Sequence, residues 1–205
     1  MPLRENLIRL ATHLFGKVCL IVFKVARRTE IRLQLSHCNE VGERVSAGYD
    51  LIVDNGGRVT IGADVSFMNR CILNTYRGGS IRIGDSCFFG DNCKVISDIG
   101  HISIGQGCLI AEDVVIRAAN HGARKGTPIR FQENHVKDVT IGNDVWIGRG
   151  VTVLPGAVIA DGCVIGANSV VRGVTDANAF YAGVPIRKLK DRPDGDGCGD
   201  GNYRM

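Results

Sequence analysis

The sequence holds no Cys-x-x-Cys pair among its eight cysteines and no His-x-x-x-x-His pair among its five histidines. The first absence removes the common signature of zinc ribbons and dithiol redox sites. The second removes the paired histidines of a three-histidine zinc site. No basic run is interleaved with aromatics and the net charge is only +4, so composition offers nothing to a nucleic-acid reading. Long apolar runs are missing too. The longest wholly apolar stretch of the N-terminal segment, Val18 to Phe23, is far short of the ~20 residues needed to cross a bilayer. No small-residue cleavage site follows it, so a signal peptide is not expected. With 205 residues and a hydrophobic share of 44%, the chain suits one compact domain, or one domain with appendages.

What the chain has is a period of six. From Val139 to Thr175 an aliphatic recurs at Ile141, Ile147, Val153, Ile159, Ile165 and Val171. Four residues after each stands a small or β-branched one: Val145, Val151, Ala157, Cys163, Ser169 and Thr175. This period fits neither a lone helix nor an alternating strand. It fits a parallel β-helix, in which each hexad makes one short strand and one corner. The aliphatic fills a narrow triangular prism, and the later residue points inward near a corner, where only a small side chain fits. Gly and Asn at the turns supply backbone freedom, including positive φ. Three hexads close one turn, and turns must stack to bury their apolar faces.

The same frame extends backwards. Ile61/Phe67/Leu73, Ile83/Phe89/Val95 and Ile104/Ile110/Ile116 are each one turn, giving at least five turns after residue 60. Residues 31–60 are expected to hold a first irregular rung, with Ile31, Leu33 and Leu35 in strand. Cys71, Cys87, Cys93, Cys108 and Cys163 all occupy the small inward slot, where Cys acts as a small hydrophobe. Free buried thiols suit a reducing cytoplasm. Residues 1–30 form an apolar helical stripe flanked by Arg and Lys. It packs on the prism's end or on a neighbouring subunit, or makes a basic amphipathic contact with the inner membrane surface. The units expected are therefore 1–30, the β-helix 31–176, an exit segment 177–192 ending in a short basic helix, and a mobile tail 193–205. One long break, residues 122–138, leaves the prism and returns in register. A loop of this length in a tight repeat is usually functional.

Three motifs carry a resemblance. Ala119-Asn120-His121-Gly122 stands directly before the loop, Pro128-Ile129-Arg130 lies inside it, and Ala182-Gly183-Val184-Pro185-Ile186-Arg187 closes the repeats. With the run from Thr140 to Gly156, the chain resembles the hexapeptide-repeat acyltransferases over residues 60–192. It is most like the galactoside, maltose and polysaccharide O-acetyltransferases. The resemblance implies a left-handed β-helix, acetyl-CoA as co-substrate, no metal, and a homotrimer with sites between subunits. It implies His121 as the general base, and histidine suits that role because it titrates near neutrality. It implies Asn92 and, with a departure in spacing, Asp98 in the acceptor site. For the cofactor it implies Arg149, Ala167, Arg172, Gly173 (often Lys in relatives), Arg187 and Lys190, with Trp146 as packing or as a wall beside the pantetheine. Arg and Lys suit the phosphates of CoA. The expected acceptor is a sugar hydroxyl of a surface polysaccharide or its precursor. Three other readings stay open: N-acetylation of an amino-sugar nucleotide, a γ-carbonic-anhydrase-like hydratase, and a non-catalytic β-helix.

Overall fold

The computed structural model describes residues 2–194. Three parallel sheets form the faces of a prism. Face one stacks Glu40–Val41, Arg58–Ile61, Ser80–Ile83, His101–Ile104, Val139–Ile141 and Val158–Ile159. Face two stacks Ser46–Ala47, Ser66–Phe67, Phe88–Phe89, Leu109–Ile110, Trp146–Ile147 and Val164–Ile165, and is extended by Ala179–Gly183 and Ile186–Asp191. Face three stacks Ile52–Asn55, Ile72–Thr75, Lys94–Asp98, Val115–Arg117, Thr152–Val153 and Val170–Val171. The chain thus makes six turns, and the expected all-β, parallel β-helix architecture is the one found.

The hexad dictates this core directly. Ile141, Ile147, Ile159 and Ile165 are at most 1% exposed, and so are their equivalents Ile83–Ile104–Ile110–Ile116 within a percent. Stacked aliphatics alone do not close the corners. There the five expected cysteines are buried, and their thiols donate to carbonyls of the next turn: Cys71 to Gly90, Cys93 to Ala111, Cys87 to Gly105, Cys108 to Gly142 and Cys163 to Asp176. The Cys71 hydrogen bond and then burial push the Cys93 thiol up, and Cys87 and burial do the same to Cys108. Those two stay neutral thiols.

The edges between faces one and two, and between two and three, turn through one residue of positive φ per rung, such as Asp64, Ser86 and Asp144 on the first edge and Arg70, Asn92 and Asp113 on the second. Asn and Asp side chains on the first edge cap the backbone of the preceding turn: Asp161 Oδ1 accepts from Asn143 N at 2.7 Å and Asn143 Oδ1 from Gln106 N at 3.0 Å. The first of these pairs spans 18 residues and the second 37. The difference is the long break, which emerges at the third edge, between faces three and one.

Two expectations need correction. Ile31, Leu33 and Leu35 are not in strand: α1 runs Pro2–Leu35 and the first rung begins at Glu40. The alternating apolar residues there continue a helix whose last turn, through Leu35, packs on the open end of the core. The exit segment ends in no helix. Ile186–Asp191 turns back at Gly183 (φ 107°) and pairs antiparallel with Ala179–Gly183. The free edge of face two offers unpaired backbone groups, and satisfying them outweighs the weak helical preference of six residues. The long break leaves the prism and returns in register, as expected, and folds as an arm. Most of the expected mobile tail lies outside the described residues. No helix of the described residues is long and apolar enough to cross a membrane.

Candidate active site

The long break is a two-stranded arm. Ala119–His121 pairs antiparallel with Asn134–Val136, placing Asn120 opposite His135 and His121 opposite Asn134. A short 3-10 turn, Ile129–Phe131, forms the tip. Gln132 organises the connection from inside. Its Oε1 accepts from Arg124 N at 2.7 Å, and its Nε2 donates to Arg124 O at 2.9 Å and Thr127 O at 2.7 Å. Gly122 is buried at the root because a side chain there would press on the Glu133 carbonyl, 2.8 Å from the position of a Cβ.

Contacts to the prism fix how the arm stands. Asp98, on the third edge one turn below, accepts from Asn134 Nδ2 at 2.9 Å through its Oδ2. Asp138 Oδ1 accepts from His101 N at 2.9 Å where the chain rejoins face one. Lys137 N donates to Ala118 O at 2.9 Å. His121 is exposed, and its imidazole has no hydrogen-bond partner among the described residues. The strand pairing fixes its backbone opposite Asn134, and both ring nitrogens are uncommitted. Asn134 was missed from sequence. Only the antiparallel register of the arm puts it opposite His121 and above Asp98.

Asn92 lies elsewhere, on the second edge. Its Nδ2 donates to Asp113 Oδ1 at 2.9 Å, and Arg149 approaches the same carboxylate at 3.2 Å. Asn92 and then Arg149 hold Asp113 below the usual carboxylate range. Ala167 follows one turn on along this edge, where Asn168 N donates to Arg149 O at 2.8 Å. Arg172 and Gly173 are on the third edge, exposed, in the last full turn. Gly173 has φ 84°, which favours glycine over the Lys expected from relatives.

Trp146 is not core. It is 48% exposed on the outer side of face two, in register with Leu109 and Phe88 before it and Val164 after it. That column continues to Phe180, over whose ring the Lys190 ammonium sits at 5.0 Å. Arg187 shares this last strand.

The ten residues therefore fall into two groups within one prism. His121, Asp98, Arg172 and Gly173 stand on the third edge. Asn92, Arg149 and Ala167 stand on the second edge, with Trp146, Arg187 and Lys190 on the adjoining face two. Face three separates the groups. Among the described residues no three His, Cys, Asp or Glu side chains are grouped as a metal site needs.

Residues 138–173 match the bacterial transferase hexapeptide (six repeats) family, and residues 80–118 match the hexapeptide repeat of succinyl-transferase. The chain is 36% identical over 151 residues to the putative lipopolysaccharide biosynthesis O-acetyl transferase WbbJ of Escherichia coli K12, a match covering 67% of this chain and 74% of WbbJ. Among solved structures it resembles a mutant of AntD, an N-acyltransferase from Bacillus cereus, in complex with dTDP-4-amino-4,6-dideoxyglucose and coenzyme A. Identity is 26% and the TM-score 0.69, over 80% of this chain and 90% of AntD. It also resembles a maltose O-acetyltransferase from Clostridium difficile 630, at 25% identity and a TM-score of 0.53, over 76% of this chain and 70% of that one.

Proposed function

The chain belongs to the hexapeptide-repeat acyltransferases, and from that premise we propose that it transfers acetyl from acetyl-CoA to a sugar hydroxyl, with His121 as general base. The observation that carries this is the uncommitted imidazole at the root of the one arm that leaves the prism. The hydroxyl oxygen attacks the thioester carbonyl while His121 takes its proton. The tetrahedral intermediate then expels the CoA sulfur, which regains the proton from His121. Oxygen–carbon bonding replaces sulfur–carbon bonding, and no external reagent is consumed.

One prism splits the candidate residues between two edges, so the working site forms between copies. The third edge of one protomer, with His121, meets face two and the second edge of the next. The exposed Phe88, Leu109 and Trp146 column and the exposed arm tip at Ile129 and Phe131 supply apolar surface for that contact. A closed homotrimer repeats it three times. Acetyl-CoA then lies in the groove beside Trp146, with Arg149, Arg172, Arg187 and Lys190 toward its phosphates, Ala167 and Gly173 lining its path, and Asn92 and Asp98 toward the acceptor. The name of WbbJ supports O-acetylation in surface-polysaccharide synthesis. The five buried free thiols support a reducing, cytoplasmic setting. A second reading, N-acylation of an amino-sugar nucleotide, is favoured by the ligands of the AntD structure.

The test is thiol release from acetyl-CoA over a panel of mono- and oligosaccharides and amino-sugar nucleotides, wild type against His121→Ala. Turnover on hydroxyl acceptors, lost in the variant, supports the reading. Turnover confined to amino sugars selects the second, and an unimpaired variant removes His121 from the chemistry.

A further inference from the structure

In helix α1 (Pro2–Leu35) the side chains described from Lys17 to Glu30 are all exposed. Among its described side chains, those that touch the core are in the last turn: Gln34 Oε1 accepts from Val53 N at 2.9 Å and Leu35 packs beneath the first rung. Beyond that turn, Val18, Val22, Val25 and Leu33 recur at spacings of four, three and eight, which is one face of a helix. Each is 52–61% exposed. Gln34 and Leu35 point to the prism from the other side, so the apolar face looks away from the body of the protein. Lys17, Lys24, Arg28 and Arg32, all exposed, line one flank of that face.

Charge narrows what covers the face. The helix holds seven basic residues and only two acidic ones, Glu5 and Glu30. The chain as a whole is +4, so α1 carries the entire positive excess and the remainder is close to neutral. Three such helices packed together would confront like charge with like, without the acidic flanking partners a coiled coil uses. An apolar stripe with a basic flank is instead the pattern of a helix lying in the plane of an anionic bilayer surface.

We propose that α1 is a peripheral anchor that seats the enzyme on an anionic lipid surface, Val18, Val22, Val25 and Leu33 entering the headgroup boundary while Lys17, Lys24, Arg28 and Arg32 meet lipid phosphates. It does not cross the bilayer.

The test uses the full chain and co-sedimentation with vesicles of phosphatidylcholine containing phosphatidylglycerol, against phosphatidylcholine alone. Binding is expected only to the anionic vesicles and is expected to weaken as salt rises. The triple variant Lys24→Gln/Arg28→Gln/Arg32→Gln is expected to lose affinity on the order of a hundredfold. Val22→Asp is expected to lose it as well, with the thermal midpoint of the prism unchanged in both. Equal binding to both vesicle types, no binding to either, or an unaffected triple variant overturns the proposal. A Val22→Asp chain that loses only self-association also overturns it, assigning the face to a second copy.

Discussion

Replacing Gly100 by alanine asks whether the arm stands where the prism beneath it dictates. Gly100 is buried at the third edge, just after Asp98, and its φ is outside the left-handed region, so alanine is acceptable to the backbone. The obstacle is contact. A Cβ there would lie 2.7 Å from Val136 Cγ1 and 3.0 Å from the Ala118 methyl. Carbon atoms rest at about 3.5–4.0 Å, so the methyl intrudes by roughly 1 Å. Ala118 precedes the outgoing strand and Val136 ends the returning one, so relief comes from shifting the arm. Overpacking of this kind costs about 1–3 kcal/mol. For a chain of this size that is a fall of roughly 2–10 °C in thermal midpoint. Misplacing a catalytic group by about 1 Å costs on the order of a hundredfold in rate. The assay is thermal unfolding together with hydrogen exchange across Ala119–Val136 and thiol release. Faster exchange is expected in the arm, with the last turn, which begins at Val158, unaffected because solenoid turns contact only their neighbours. An unchanged midpoint with undiminished arm protection refutes this account of how the arm is held. Gly79→Ala is the control. Its Cβ would meet the Asp98 carbonyl, a backbone atom that cannot swing aside, so it should destabilise more.

Ile147, buried between Ile110 and Ile165 in face two, should cost about 2–5 kcal/mol when cut to alanine, read as a lower urea midpoint. Arg187→Ala and Lys190→Ala should raise KM for acetyl-CoA roughly tenfold or more each, as expected for a lost hydrogen bond to a charged group, with the thermal midpoint little moved. An unchanged KM would remove the last strand from the cofactor groove. In the native protein Cys71, Cys87, Cys93, Cys108 and Cys163 should resist Ellman's reagent while exposed Cys19 reacts, and denaturation should release all five. Rapid native labelling of any of them would contradict the corner packing.

Much of the prism was legible in the residues, because its contacts repeat at short range. Each aliphatic of the six-residue frame meets the same neighbour one turn on, so Ile141, Ile147 and Val153 announce three faces with no knowledge of the whole. The corner slot was equally visible, since every Cys in it stands four after an Ile or Phe of the frame. His121 was singled out by the loop it precedes. Local pattern failed where a distant partner decided the outcome. Ile31, Leu33 and Leu35 alternate as a strand would, yet no sheet edge reaches them and the helix runs on. Residues 186–191 could have been a basic helix, but the open edge of face two captured them as a strand. The clamp from Asp98 to Asn134 joins positions 36 residues apart. The division of the candidate residues between two edges depends on counting which rung ends at which corner. A period tells what each residue does within its own turn. Only the stacked turns decide which side chains end up on the same edge, because that rests on every insertion that lies between them.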